Sequence, residues 1–293
     1  MSGWSTLVQA EMLAERLAQM RSGRCATQAL RIFDCRFALS EPGAGEAAWR
    51  EGHVPGAIYA HLDRDLSGAH TPGAGRHPWP HDAVFAAWLA RCGVGPETQV
   101  IAYDAADGAF AARLWALLRF FGHHDAAVLD GGWARWTALG FPVDTDAPSE
   151  SEAPTVAHPG SFDRSRLLDA SAAGAAVRAG ACLIDARASE RFRGEVEPID
   201  RIAGHVPGAV NRPYAANLEA GRFKSPQTLS HEFEALIGTR SVDEVVAMCG
   251  SGVTACHHLL AMQHAGLPMP KLFTGSWSGW IEDPQRPVAT GAG

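Results

Sequence analysis

Short, nearly continuous apolar runs alternate along this chain with segments whose apolar residues recur every three to four positions. Leu30-Arg31-Ile32-Phe33, Val100-Ile101-Ala102-Tyr103, Cys182-Leu183-Ile184 and Val245-Val246-Ala247-Met248 are of the first kind, too short for helices. Residues 255–265 carry the helical period. Strands that alternate with helices predict an α/β fold, with a parallel sheet covered on both faces. Near the N-terminus, Leu7, Leu13 and Leu17 set among Glu11, Glu15 and Arg16 predict an amphipathic first helix within Met1–Met20.

The pattern repeats. Gly-His-Val-Pro-Gly-Ala stands at 52–57 and again at 204–209. An apolar run ending in Asp-x-Arg precedes each copy, Asp34-Cys35-Arg36 in the first and Asp185-Ala186-Arg187 in the second. Val100–Asp104 matches Val245–Cys249, and a glycine-containing loop and a helix-like segment follow both. Leu129-Asp130-Gly131-Gly132-Trp133 with Trp136 matches Phe273-Thr274-Gly275-Ser276-Trp277 with Trp280. Matched blocks in one order predict a tandem duplication: two domains, each a central parallel sheet flanked by helices. Residues 144–160 are polar, contain proline and have no apolar period, as a linker should. The expected boundaries are 1–145 for the first domain, 146–160 for the joint and 161–293 for the second. His53 and His205 read as structural parts of a turn that re-aims the chain into its next strand. The four tryptophans read as packing or domain-interface residues.

Composition narrows the classes. A length of 293 residues suits two domains, and 46% hydrophobic against 19% charged residues is enough to build ordered cores. Lys plus Arg is 25 against 32 for Asp plus Glu, a net charge of −7 with no basic run, which argues against a nucleic-acid partner. No stretch approaches the roughly 18 apolar residues of a membrane span, and Met1–Met20 lacks the basic-then-apolar order of a signal peptide. The six cysteines form no C-x-x-C and are too sparse for a disulfide scaffold. They point to a reducing cytoplasm, mostly buried thiols, one of them reactive, and no metal.

The two halves differ at one telling place. Where the first has Asp104 at its strand end, the second has Cys249, followed by Gly250-Ser251-Gly252-Val253-Thr254. Open α/β sheets put their sites at the carboxyl ends of central strands. Two glycines let a short loop curl so that backbone N–H groups converge, and the following helix N-terminus adds partial positive charge. Both stabilise a negative sulfur, and Ser251 and Thr254 can donate hydroxyl hydrogen bonds to it. The competing reading is a buried structural cysteine.

These motifs together resemble the rhodanese superfamily of sulfurtransferases in its tandem two-domain form, over nearly the whole chain. The C-terminal half resembles the catalytic domain and the N-terminal half the inactive one. The resemblance implies covalent catalysis in two half-reactions: Cys249 takes a sulfane sulfur as a persulfide and passes it to a thiol or to cyanide, with a thioredoxin-like protein among the thiols that fit. It implies no metal or organic cofactor. Gly250, Gly252, Val253 and Thr254 would line the substrate, and the neutral loop resembles that of enzymes acting on 3-mercaptopyruvate, whereas thiosulfate enzymes often carry Arg and Lys there. Ser251 matches a serine proposed to help proton transfer, and Asp63 an acidic residue of the same Cys-Ser-Asp arrangement. Arg191 matches a substrate-carboxylate arginine. Arg187 is either a second substrate arginine or a structural ion pair with Asp185. Such enzymes commonly carry another arginine in Glu-Pro-Arg, but here the stretch reads Glu197-Pro198-Ile199-Asp200-Arg201, so Arg201 is displaced by two positions and thiosulfate stays open as donor. Asp63 and Arg76-His77-Pro78 fall on loops that, by the same resemblance, can approach the other domain's site; an exposed loop carboxylate is the plainer reading of Asp63, and His77 reads as an interface residue.

Other readings were weighed. A cysteine phosphatase needs Arg where this chain has Ala255. A non-catalytic rhodanese binding or regulatory module needs no intact cysteine loop. His257 and His258 are adjacent on a helix and should face different ways, so they should not share a metal. Cys256 reads as a buried helix thiol, with a resolving cysteine as the alternative.

Overall fold

The apolar runs become strands buried on both faces. The computed structural model describes residues 3–23, 29–146 and 158–292, so Cys25 and most of the expected joint lie outside the described residues. The chain divides into two compact units, Met1–Leu66 with Pro80–Phe162, and Ser67–Trp79 with Asp163–Gly293.

The first unit runs β1 (Leu7–Val8), α1 (Ala10–Arg21), β2 (Leu30–Asp34), α2 (Ala44–Glu51), β3 (Ala57–Tyr59), α3 (Asp82–Arg91), β4 (Gln99–Tyr103), α4 (Ala111–Phe120), β5 (Ala126–Leu129) and α5 (Gly132–Ala138). Its strands pair in the order β1-β5-β4-β2-β3, all parallel. Every residue of β4 is buried, as expected of a parallel sheet covered on both sides. The first helix starts at Ala10, later than the leucine spacing implied: Leu7 and Val8 pair instead with Val128 and Leu129. A two-residue edge strand is too short to show its own period beside the helical one of Leu13 and Leu17.

The second unit runs β6 (Leu167–Leu168), α6 (Ala170–Arg178), β7 (Cys182–Asp185), α7 (Ser189–Phe192), β8 (Val210–Asn211), β9 (Leu218–Glu219), β10 (Arg222–Phe223), α8 (Pro226–Ile237), β11 (Val245–Met248), α9 (Ala255–His264), β12 (Lys271–Phe273) and α10 (Ser276–Trp280). Its sheet order, β6-β12-β11-β7-β8, repeats that of the first unit, again parallel throughout, with β9 and β10 a separate hairpin. Register repeats too: Asp34 lies opposite Tyr103, and Asp185 opposite Met248. Asp104 and Cys249 therefore occupy matching places at the carboxyl end of the central strand.

The repeated motifs do repeated work. Arg36 grips Asp34 through Nε and Nη2 and donates to the Gly52 carbonyl, while Arg187 does the same with Asp185 and Gly204. Both pairs are buried, so each charge depends on its partner. Trp133 and Trp277 cover the two guanidinium planes at 4.7 and 4.8 Å. Each Val-Pro-Gly-Ala closes a turn in which alanine N–H donates to valine C=O, with Gly56 and Gly208 at positive φ, the type II pattern. His53 and His205 are buried, and each ring Nδ1 meets a backbone carbonyl, that of Trp49 or Phe192.

His257 and His258 converge more than their adjacency suggested. Asn217, packed across both, presents its amide Nδ2 to the two Nδ1 atoms at 3.0 Å, and its Oδ1 accepts from Arg212. Burial pushes His258 down to about 3, which keeps it neutral. Among the described residues no helix is long and apolar enough to cross a membrane.

Candidate active site

Cys249 directly follows β11 and is 1% exposed. Its N–H donates to Ser276 Oγ at 3.1 Å, and its carbonyl accepts from Trp277 N–H at 2.9 Å. The next carbonyl, of Gly250, accepts from Ser278 N–H, so the start of the loop is fixed by α10. Gly252 has φ +76°, and a Cβ there would sit 2.4 Å from the Thr274 carbonyl. Only glycine satisfies both demands. Thr254 then leads into α9, and Val253 O accepts from Cys256 N–H. Among the described residues the N–H groups of Gly250, Ser251 and Val253 have no acceptor.

The first unit shows what such a loop holds. The Asp104 carboxylate accepts from four backbone N–H groups of its own loop: Ala106 at 3.2, Gly108 at 2.9, Phe110 at 2.8 and Ala111 at 3.1 Å. Burial and nearby Asp107 push this carboxyl up to about 6 against the pull of Gly108, Ala111 and Phe110, leaving it ionised at neutral pH. The loop is an anion cradle, filled in this copy by the chain itself. In the second copy the shorter cysteine leaves the cradle to something else.

Above the cysteine loop lie charges from two segments. Arg191, at the end of α7, forks onto Glu197 through Nε and Nη2, with Nη2 also reaching Asp200 at 3.1 Å. Burial raises the Glu197 carboxyl, but Arg191 and the Asp200 and Ile199 amides outweigh this and hold it below the usual range. The segment 67–79 supplies Arg76 and His77. Gly75 N–H donates to Glu282 and Arg76 N–H to Ser278 Oγ, and Gly75 approaches the Gly275 carbonyl too closely for any Cβ. Arg76 Nη1 meets Asp200 Oδ1 at 2.7 Å. His77 Nδ1 lies 2.7 Å from Ser251 Oγ, both groups buried.

The structure thus brings together Cys249, Gly250, Ser251, Gly252, Val253, Thr254 and Arg191 with Arg76 and His77 of the expected loop, and adds Glu197, Asp200 and Ser276. Arg187 forks onto Asp185 through Nε and Nη2, while its buried Nη1, 3.6 Å from Glu197, has no hydrogen-bond partner among the described residues. Arg201 is held on the Ile281 carbonyl, and Arg193 pairs with Glu195. Asp63 belongs to the first unit, on the turn after β3, its N–H donating to His61 Nδ1. Cys256 is buried and donates to the Gly252 carbonyl. Ser276 had a readable signal: it has φ +50°, and its partner in the repeat is Gly132 at φ +51°. A non-glycine residue held in that region marks a side chain with a task, here accepting from Cys249 N–H.

Comparison with known proteins agrees with this geometry. The model of the rhodanese-like domain matches twice, at residues 13–139 and 164–283. A probable 3-mercaptopyruvate sulfurtransferase of Pseudomonas aeruginosa is 48% identical over 282 residues, covering 94% of this chain and 97% of that protein. A putative thiosulfate sulfurtransferase of Mycobacterium tuberculosis is 40% identical over 266 residues, 89% of this chain and 90% of that one. The solved 3-mercaptopyruvate sulfurtransferase from Leishmania major superposes with a TM-score of 0.79 at 31% identity, covering 96% of this chain and 76% of that one. Two copies of one sheet order, one with a cysteine and one with an aspartate at the same strand end, are what those matches span, and the chain belongs to the rhodanese-like domain family.

Proposed function

We propose that the chain is a sulfurtransferase that moves the sulfur of 3-mercaptopyruvate through a persulfide on Cys249 to a thiol or cyanide acceptor. The Cys249 thiolate attacks the donor sulfur. A sulfur–sulfur bond forms as the donor's carbon–sulfur bond breaks, and the electron pair of that bond leaves on carbon as the enolate of pyruvate. Protonation of that carbon completes the first half-reaction. An acceptor thiolate or cyanide then attacks the outer sulfur and returns Cys249 as thiolate. The observation that carries the reading is the match between Asp104 and Cys249: the strand end that holds a carboxylate against loop N–H groups in one copy carries a thiol in the other, where the Gly250, Ser251 and Val253 N–H groups have no acceptor among the described residues.

The loop amides stabilise the sulfur anions, Arg191 binds the donor, and Ser251 backed by His77 is placed to pass the proton. Asp63 enters this scheme from the sequence alone. Arg187 holds the strand end through Asp185. The thiols of Cys35, Cys182 and Cys92 are pushed up by burial, Cys92 to about 12, which leaves them poor competitors as nucleophiles. The described cysteines are free thiols, in keeping with a reducing cytoplasm and a thioredoxin-like dithiol as acceptor.

Thiosulfate is the second reading, favoured by the name of the M. tuberculosis relative. Against it, Arg76 and Arg191 already have Asp200 and Glu197 as counter-ions, so the site offers directed N–H donors more than net positive charge, which suits a monoanion. Steady-state kcat/KM for both donors, with cyanide as common acceptor, decides. Preference for 3-mercaptopyruvate is expected; preference for thiosulfate would replace the donor, and activity with neither would overturn both readings.

A further inference from the structure

The ion pairs beside the cysteine loop form one chain of alternating charge. Asp185 meets Arg187 at 2.6 Å, Arg187 meets Glu197 at 3.6, Glu197 meets Arg191 at 2.7, Arg191 meets Asp200 at 3.1, and Asp200 meets Arg76 at 2.7 Å. Arg76, Arg187 and Arg191 thus balance Asp185, Glu197 and Asp200, and the chain is formally neutral. Glu197 and Asp200 are both 4% exposed. The far end of the chain lies against the loop: a methyl group built on Gly250 would sit 3.4 Å from Arg76 Nη2 and 3.8 Å from Nη1 and Nη2 of Arg191. The first unit repeats only the first link. Arg36 holds Asp34, and among the described residues no second carboxylate stands within ion-pair distance of Arg36. The further carboxylates are therefore a feature of the copy that carries the cysteine, not of the shared fold. Buried ion pairs contribute little net stability, so the use of these two is to be sought in the field they make.

We infer that Glu197 and Asp200 determine donor specificity: by cancelling the positive charge beside the cysteine loop, they select singly charged sulfur donors over doubly charged ones. The inference rests on the sulfur-transfer reading above and supplies the residues behind its choice of donor. Each positive charge left uncancelled attracts a dianion twice as strongly as a monoanion. A buried carboxylate roughly 8 Å from the bound anion, at an effective dielectric of about 20, changes binding by about thirtyfold per unit of ligand charge. Arg76 is 28% exposed, and solvent screening at that end lowers the factor towards about threefold. Loss of either carboxylate should therefore move the preference between thiosulfate and 3-mercaptopyruvate by a factor in this range, towards thiosulfate.

The test compares Glu197→Gln and Asp200→Asn with the charge-keeping Glu197→Asp and Asp200→Glu. Two quotients are measured. One is kcat/KM for thiosulfate over kcat/KM for 3-mercaptopyruvate, with cyanide as acceptor. The other is the rate of Cys249 alkylation by anionic iodoacetate over that by neutral iodoacetamide, in which the fraction of thiolate cancels. Both quotients should rise about threefold to thirtyfold in the two neutral variants, and stay within about twofold of wild type in the charge-keeping ones. The rise should shrink at high salt. Damage to packing would move the charge-keeping variants as far. Quotients unmoved by loss of charge, or moved equally by the charge-keeping variants, would overturn the inference whichever donor the wild type prefers. A wild type that turns over neither donor would remove the sulfur-transfer reading; an alkylation quotient that still rises would then leave the charge balance at Cys249 standing without it.

Discussion

If the loop after the central strand is an anion cradle, emptying it in the first unit should leave a hole with a taste for anions. Asp104→Ala deletes a buried carboxylate that accepts four backbone N–H groups at 2.8–3.2 Å. It keeps Cβ, so the missing piece has the size and charge of formate. Four N–H groups lose their acceptor at a site 1% exposed. Stripping one partner from a buried charged network costs about 3–5 kcal/mol, less than the sum of the single bonds because they act together. The assay is urea denaturation at pH 7.5 in sodium formate or in sodium chloride of equal ionic strength. Wild type should shift only by whatever formate binding at the Cys249 loop contributes to both proteins. The variant should be destabilised in chloride and recover more than wild type in formate, by an excess that grows as RT ln(1 + [formate]/Kd). Full stability of the variant in chloride, or formate shifting both proteins equally, would refute the cradle and remove the main support for how Cys249 is activated.

Gly252→Ala should disrupt the active loop, because positive φ costs about 1–2 kcal/mol and the new Cβ meets the Thr274 carbonyl at 2.4 Å; kcat/KM should fall by about a hundredfold, the price of misplacing the reacting atoms. Arg191→Ala should lower kcat/KM with 3-mercaptopyruvate far more than Asp104→Ala does below its melting range; the reverse order would mean that the first unit does more than support. Stability should decline as pH falls below about 6.5. His123 donates from Nε2 to the Thr98 carbonyl and accepts at Nδ1 from His158 Nε2, whose own Nδ1 accepts from Gly160 N–H, so both rings must stay neutral. Burial lowers both, as it does His258, so their contribution is complete above the unfolded value and is lost as the unfolded chain takes up protons. His158→Gln should flatten the slope between pH 7 and 5, and an unchanged slope would exclude the pair as its source.

Much of the fold could be read from the chain because burial on both faces leaves strands as plain apolar runs, and because duplication prints each motif twice. The spacing of Asp185 and Arg187 allowed an ion pair or a substrate arginine, and the structure shows the pair, whereas Cys249 was exposed as the odd member of a matched pair. What escaped was whatever depends on distant segments. The loop of Arg76 and His77 was expected near the other domain's site, but the contact of His77 with Ser251 was not, because it comes from a stretch that packs with the second unit although it lies inside the first in sequence, and no local period records that. Glu197 and Asp200 looked like spoiled remnants of a Glu-Pro-Arg stretch; their work, holding two arginines, shows only when both partners are in place. Leu7 and Val8 passed for helix because two residues are too few to show that they belong to a sheet.

The central claim is that Cys249 carries the transferred sulfur. The direct measurement is intact-protein and peptide mass spectrometry after one equivalent of 3-mercaptopyruvate without acceptor, in wild type and Cys249→Ser. The account predicts one added sulfur, located on Cys249, removed by cyanide and absent from the variant. Sulfur found on Cys256 or elsewhere, or sulfur loading that survives Cys249→Ser, would contradict it.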